Sequence, residues 1–139
     1  MKTMNSKSAA GGFSLIELLL VLVILGLIAG IVVPNIVGRS EGAKHDVAKA
    51  QVVRLSMAVD TFYLDTGRIP GSLQDLVDEP SNVSNWNGEY VKESGLVDPW
   101  GNPYEFRSPG EHGEYDIWSY GRDGSPGGED AAADITNWN

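Results

Sequence analysis

The stretch Gly12-Phe13-Ser14-Leu15-Ile16-Glu17, followed by the apolar run Leu18–Val33, decides how this chain is read. Leu18–Val33 contains no polar side chain, and as a helix it spans roughly 24 Å at about 1.5 Å per residue. Adding Phe13–Ile16 brings it to the ~20 residues that a membrane span needs. Before it lie Met1–Gly12, polar, basic through Lys2 and Lys7, and ending in Gly11-Gly12. A secretory signal peptide runs basic, then apolar, then a small-residue cleavage site. Here the small residues come before the apolar run, so cleavage after Gly12 leaves the hydrophobic helix on the mature protein. The basic leader predicts a cytoplasmic amino terminus.

Glu17 lies within the apolar segment, where a carboxylate costs roughly 2.5–3.5 kcal/mol on insertion scales. Cleavage after Gly12 creates an amine at Phe13, four residues away, that neutralises Glu17 in its own chain or in a neighbour. A plain signal anchor fits the hydropathy equally well but leaves Glu17 unexplained. Gly26 and Gly30 form a small-xxx-small pair that suits helix packing, although glycines are also simply common in membrane helices. Together with Pro34 they weaken the helix, and Gly26–Pro34 is expected to extend or unwind when subunits leave the bilayer.

The segment Gly12–Glu17 resembles the class III signal of type IV pilins and type II secretion pseudopilins. The resemblance implies that a prepilin peptidase cuts after Gly12 and methylates the Phe13 amine. It also implies that Glu17 is required for assembly.

Beyond the apolar run, Ala48, Val52, Leu55, Val59 and Phe62 recur at steps of four and three, with Lys44, Lys49 and Asp60 off the stripe. This predicts an amphipathic helix over Ala43–Leu64 that buries one face against a head, with Gly67 as its stop. A short helical stretch is expected around Ser72–Val77 with Ser72 as N-cap, followed by a long loop over residues 79–95. Tyr104–Arg107 and Tyr115–Ser119 read as strands joined by the Ser108–Gly113 turn. In the second strand Tyr115, Ile117 and Ser119 share one side and Asp116 and Trp118 the other. The fold class is α+β: a long amino-terminal helix, half hydrophobic and half amphipathic, packed on a small antiparallel sheet. The expected organisation is a cleaved leader over residues 1–12, a hydrophobic helix over 13–36, an amphipathic helix over 37–66 and a head over 67–139.

Asp98-Pro99-Trp100-Gly101-Asn102-Pro103-Tyr104 combines turn formers with apolar anchors and reads as a loop clamped on the core. It resembles the signature of the major pseudopilins of the type II secretion system, which extends the likeness over nearly the whole head and implies a pilin-like fold.

The carboxyl-terminal loop, residues 120–134, is rich in Gly and Pro and carries four carboxylates, Asp123, Glu129, Asp130 and Asp134. Ile135 and Trp138 are expected to pin its far end to the core. Composition leaves two readings, a solvated acidic tail and a site for calcium, which accepts six to eight oxygens in irregular geometry. The spacing is not that of an EF-hand. The resemblance implies one calcium in this loop, with Asp123 and Asp134 as acidic ligands and carbonyls from Tyr120 and Ser125. Asp130 is the candidate third acid, and Gly128 a further carbonyl donor.

Ten Lys and Arg stand against nineteen Asp and Glu, a net charge of −9, which opposes binding to phosphate backbones. Cysteine is absent, so disulfides, thiolate metal sites and Cys nucleophiles are excluded. His45 and His112 stand in no recognisable catalytic motif, which makes an enzyme the weaker reading. Trp100, Trp118 and Trp138 are expected to anchor the head. The resemblance implies a non-enzymatic subunit that polymerises with itself into the secretion pseudopilus and supports export of folded proteins. Its implied partners are minor pseudopilins, the prepilin peptidase, the inner-membrane assembly platform and its ATPase. The other reading is a type IV pilus-like surface filament for adhesion, motility or electron transfer.

Overall fold

The computed structural model describes residues 11–139, except the side chains of residues 32–38. Most of the expected leader therefore lies outside the described residues. The chain divides into two units, Met1–Gly38 and Arg39–Asn139.

One helical element, α1, runs over Leu15–Thr66. Its amino-terminal part, in the first unit, is apolar on all sides apart from Glu17 and exposed, from Leu15 at 85% to Ile31 at 70%. Such a surface is stable only in lipid or against other protein. Among the described residues no helix is by itself long and apolar enough to cross a membrane. The backbone is helical through Gly26–Pro34 in the single chain; the expected unwinding concerns the assembled state.

In the second unit α1 supplies the spine of the head. The stripe read from the sequence is buried: Ala48, Leu55, Val59 and Phe62 at 0% exposure and Val52 at 2%. Helical spacing puts these residues on one side, and they meet Leu73, Leu76, Tyr104, Ile117 and Ile135. Phe62 also meets the Tyr90 ring edge-on at 5.6 Å. The helix ends at Thr66, where Gly67 N–H donates to Tyr63 O at 2.8 Å. A 3-10 turn over Leu73–Leu76 follows, steadied by the Asp75 carboxylate, which accepts from Gly71 N–H at 2.8 Å and Ser72 Oγ at 3.1 Å. The long loop is tied down by Trp86 Nε1 donating to Asp75 O and by Tyr90 OH donating to Asp65.

The sheet has three antiparallel strands in the order β1 (Glu105–Arg107), β2 (Asp116–Ser119) and β3 (Ile135–Thr136). The β1–β2 hairpin matches the expectation, with Phe106 opposite Ile117. β3 was not foreseen, because two residues carry no readable alternation. It closes the sheet by pairing Trp118 with Thr136 and Ser119 with Ile135. Ile135, 2% exposed, pins the loop's far end to the core as expected. Trp118 and Trp138 do not act as core anchors. Ile117 and Ser119 face inward, so alternation turns Trp118 and its partner Thr136 to the opposite face, where Trp138 follows. Trp100 does pack against the core.

Phe62→Ala is expected to cost about 3–5 kcal/mol and to lower the thermal midpoint of the full chain in detergent by at least about 10 °C. Val53→Ala, at a position 54% exposed, should stay within about 0.5 kcal/mol of the parent. Intrinsic tryptophan fluorescence reads both, since every tryptophan lies in the head.

Candidate functional site

At the amino terminus, α1 opens with a reciprocal cap. Ser14 N–H donates to Glu17 Oε2 at 2.8 Å, and Glu17 N–H donates to Ser14 Oγ at 3.3 Å. This is a capping box, in which two helix-end donors that lack intrahelical partners are satisfied by the two side chains. Glu17 therefore has a local role, and its carboxylate is folded back toward the residue after Phe13. Phe13, 86% exposed, lines a groove with Glu17, Leu18, Leu20 and Val21. The Ser-x-x-Glu spacing ahead of an apolar run is the sequence signal for this cap.

In the head, Asp98 is 5% exposed and fully engaged. Its Oδ1 accepts from the N–H groups of Trp100 at 3.0 Å and Asn102 at 2.9 Å, and Oδ2 accepts from Ser119 Oγ at 2.7 Å. The loop it holds is closed by Tyr104 N–H donating to Leu96 O at 3.0 Å and is tied to α1 by Trp100 Nε1 donating to Glu41 Oε2 at 2.8 Å. The Trp100 hydrogen bond, opposed by burial and helped by Lys44 and Arg122, holds the Glu41 carboxyl below its ordinary value.

Each residue of the expected calcium loop can be placed. Tyr120 leads into a 3-10 turn over Gly121–Asp123. Asp123 is exposed, and its Oδ1 accepts from Ser125 N–H at 3.2 Å. Asp130 opens a second 3-10 turn with φ of 52°. Asp134 Oδ2 accepts from Gly127 N–H at 2.9 Å, while its Oδ1 is buried without a hydrogen-bond partner. Among the described residues no three acidic or histidine side chains converge, so Asp123, Asp130 and Asp134 do not form a three-carboxylate cluster. Backbone converges instead. At Gly121, with φ of 70°, a Cβ would lie 2.9 Å from Ala133 O, and at Gly128, with φ of 93°, it would strike Ala132 O. Only glycine permits both the backbone angle and the approach. Asp134 Oδ1, a buried carboxylate oxygen without a hydrogen-bond partner, suits a hard cation such as calcium.

A second buried acid had no sequence signal. Asp116, 0% exposed, lies under the Ser108–Gly113 turn and accepts from Glu111 N–H at 2.8 Å, His112 N–H at 3.2 Å and His112 Nδ1 at 3.1 Å. Burial pushes its carboxyl upward, but these hydrogen bonds and the His112 charge outweigh burial and hold it below 3.8.

A long apolar-to-amphipathic helix with a processing signal at its start, joined to a small antiparallel head, defines a pilin-like filament subunit. Comparison with known proteins agrees. Residues 35–138 match the family model described as Type II secretion system (T2SS), protein G, and residues 7–33 match the Prokaryotic N-terminal methylation motif. The chain is 42% identical to the type II secretion system core protein G of Pseudomonas aeruginosa, covering 91% of this chain and 94% of that one. It is 41% identical to the core protein G of Vibrio cholerae, with 100% and 97% covered, and 42% identical to that of Escherichia coli, with 97% and 95% covered. The crystal structure of the major pseudopilin from the type 2 secretion system of enterohaemorrhagic Escherichia coli matches with a TM-score of 0.62 at 34% identity, covering 78% of this chain and 93% of that one. The chain belongs to the type II secretion system protein G family. Its function is that of a pseudopilus structural subunit in secretion.

A group held below its ordinary value stabilises the fold above that value and loses the contribution as pH falls through the lowered one. Asp116 should therefore steepen the loss of stability below about pH 4. In a pH series of thermal midpoints, Asp116→Asn is expected to be less stable near neutrality and to show a flatter acid limb.

Proposed function

We propose that this pseudopilus subunit begins as a precursor in the bacterial inner membrane, held by residues 13–36 with the leader cytoplasmic and the head periplasmic. A prepilin peptidase removes residues 1–12 by cutting after Gly12 and methylates the Phe13 amine. Mature subunits polymerise with apolar helices inside and acidic heads outside, and Glu17 pairs with the Phe13 amine of a neighbouring copy. Minor pseudopilins, the assembly platform and its ATPase take part, and the rod drives folded proteins across the outer membrane. The observation that carries this reading is the Glu17 carboxylate, folded 2.8 Å from Ser14 N–H and so one residue from the amine that cleavage creates.

Mass spectrometry of assembled filaments should find chains starting at N-methylated Phe13. Glu17→Gln should still be cut but should fail to assemble. An intact leader in the filament, or normal polymerisation of the variant, would count against this reading.

The carboxyl-terminal loop is proposed to hold one calcium, through Asp123 and Asp134, the carbonyls of Tyr120, Ser125 and Gly128, and Asp130 as third acid. When bound, the ion offsets the repulsion among these acids. Asp134 supplies the oxygen that now lacks a partner, and the two glycines allow the loop to close. With calcium about a hundredfold above its Kd, binding adds about 2.7 kcal/mol. Chelation is then expected to lower the thermal midpoint of the full chain by about 10 °C and to speed proteolysis of the loop. Asp134→Ala should abolish both responses; unchanged melting and proteolysis on chelation would refute the site.

A further inference from the structure

The pair Asn87-Gly88 stands in the long loop between the two aromatic side chains that fasten it to the head. Trp86 Nε1 donates to Asp75 O at 3.1 Å, and Tyr90 N–H donates to Leu76 O at 2.8 Å. The Tyr90 ring meets Phe62 and Trp86 edge-on, and its hydroxyl donates to Asp65 Oδ2 at 2.8 Å while accepting from Asn87 N–H at 3.1 Å. Between these anchors the chain is open. Asn87 is exposed, and neither its side-chain amide nor Gly88 N–H has a hydrogen-bond partner among the described residues. A Cβ at Gly88 would meet nothing within 4 Å, and its φ of 111° is one that glycine adopts and other residues rarely do.

An asparagine amide reacts with the main chain when three conditions meet: a free carboxamide, a free N–H on the next residue, and no side chain to crowd the approach. Asn82, Asn85, Asn102 and Asn137 each lack one of them. Val83 N–H, after Asn82, is held by Pro80 O at 3.3 Å. Asn85 precedes the bulky Trp86, and Asn102 precedes Pro103, whose nitrogen carries no hydrogen. The Asn137 carboxamide is held at both ends, accepting from Ile117 N–H at 2.9 Å and donating to Tyr115 O at 3.3 Å. Asn87 meets all three conditions. We propose that Asn87 is a site of spontaneous deamidation and that the change releases the loop from α1. The Gly88 nitrogen loses its proton and attacks Asn87 Cγ; the new C–N bond forms as Cγ–Nδ2 breaks, and ammonia leaves with the proton. Water then opens the five-membered imide to aspartate or isoaspartate, with no oxidant or reductant involved. Either product puts a carboxylate beside Glu89, in a stretch where Tyr90 OH already bridges residue 87 to the Asp65 carboxylate, and like charges repel. Isoaspartate also adds a backbone carbon between the Trp86 and Tyr90 anchors.

The test incubates the full chain in detergent at mildly alkaline pH, folded and in parallel unfolded in urea. Peptide mapping by mass spectrometry follows the exchange of ammonia for water at each asparagine, and enzymatic methyl transfer detects isoaspartate. In the folded chain Asn87 is expected to react at least about tenfold faster than Asn82, Asn85 or Asn137, and at a rate close to its own in urea. The modified chain, separated by ion exchange, should melt at least about 4 °C below the fresh chain and be cut faster within residues 79–95. Asn87→Gln closes the ring far more slowly and removes no hydrogen bond, so it should melt like the parent and keep its midpoint through the same incubation. The site is overturned if Asn87 in the folded chain reacts no faster than those three, or reacts only in urea. Release of the loop is overturned if the modified chain melts and is cut like the fresh one.

Discussion

A carboxylate buried in a small head without disulfides is tolerable only when its oxygens are hydrogen-bonded, and Asp98 meets that condition. Its three donors come from the loop that follows it and from β2, so one side chain fixes where two distant segments sit. Bonds to a charged acceptor are worth about 1.5–3 kcal/mol each, and loss of this acceptor would leave three donors without it, that of Ser119 fully buried. The constraint extends further. Ser119 Oγ, which donates to Asp98, also accepts from Gly121 N–H at 3.1 Å, and Asn102 Nδ2 donates to Gly121 O at 3.4 Å. The carboxyl-terminal loop therefore leaves the sheet at a point set by Asp98, and the carbonyls of Ala131–Ala133 close onto Gly121 from the other side. The shape of the proposed calcium loop depends on an acid that does not belong to it.

The parts of the fold that were legible in the sequence are those written as periodic burial. Ala48 through Phe62 repeat at helical spacing, and the β1–β2 hairpin shows alternation around a turn. Burial of Asp98 and Asp116 was not legible, because their partners are mainly backbone N–H groups whose approach depends on turn geometry rather than side-chain type. The Trp residues were misread for a related reason. Composition says that tryptophan tends to be buried, but only strand pairing, through the two-residue β3, tells which face of the sheet receives it. For the amino-terminal site the residues were legible and one relation was missed: Glu17 was read against the oil around it, while its nearest partner is Ser14.

The proposed calcium loop divides its work between sequence and backbone. The acids announce an affinity for cations, yet the described side chains do not converge on one point. What the fold supplies is a pair of glycine positions where carbonyl oxygens come closer than any other residue would allow, and one carboxylate oxygen left without a hydrogen. The carbonyls in the proposed site tolerate change in the residues that carry them, because a carbonyl is present whatever the side chain. Asp134 differs from the other proposed acids, since its second oxygen already holds Gly127 N–H and so couples any ligand to the loop's own hydrogen bonding.

The capping box at Ser14 and Glu17 bears on how an acid persists in an apolar segment. A helix end leaves its first N–H groups without intrahelical partners, and in lipid each such group costs several kcal/mol. Glu17 satisfies one of them, so the desolvation of its charge is offset by a donor that would otherwise be stranded. The same geometry holds the carboxylate beside the residue where proposed cleavage produces an amine. Before the proposed cleavage the acid has a neutral donor; afterwards a cation would stand within a residue of that donor. Because an amine offers more than one hydrogen, it can pair with an acid on another chain while Ser14 retains its own bond. The capped acid is thus placed to stabilise the isolated helix and, in the proposed assembly, to meet a neighbouring chain without losing its cap.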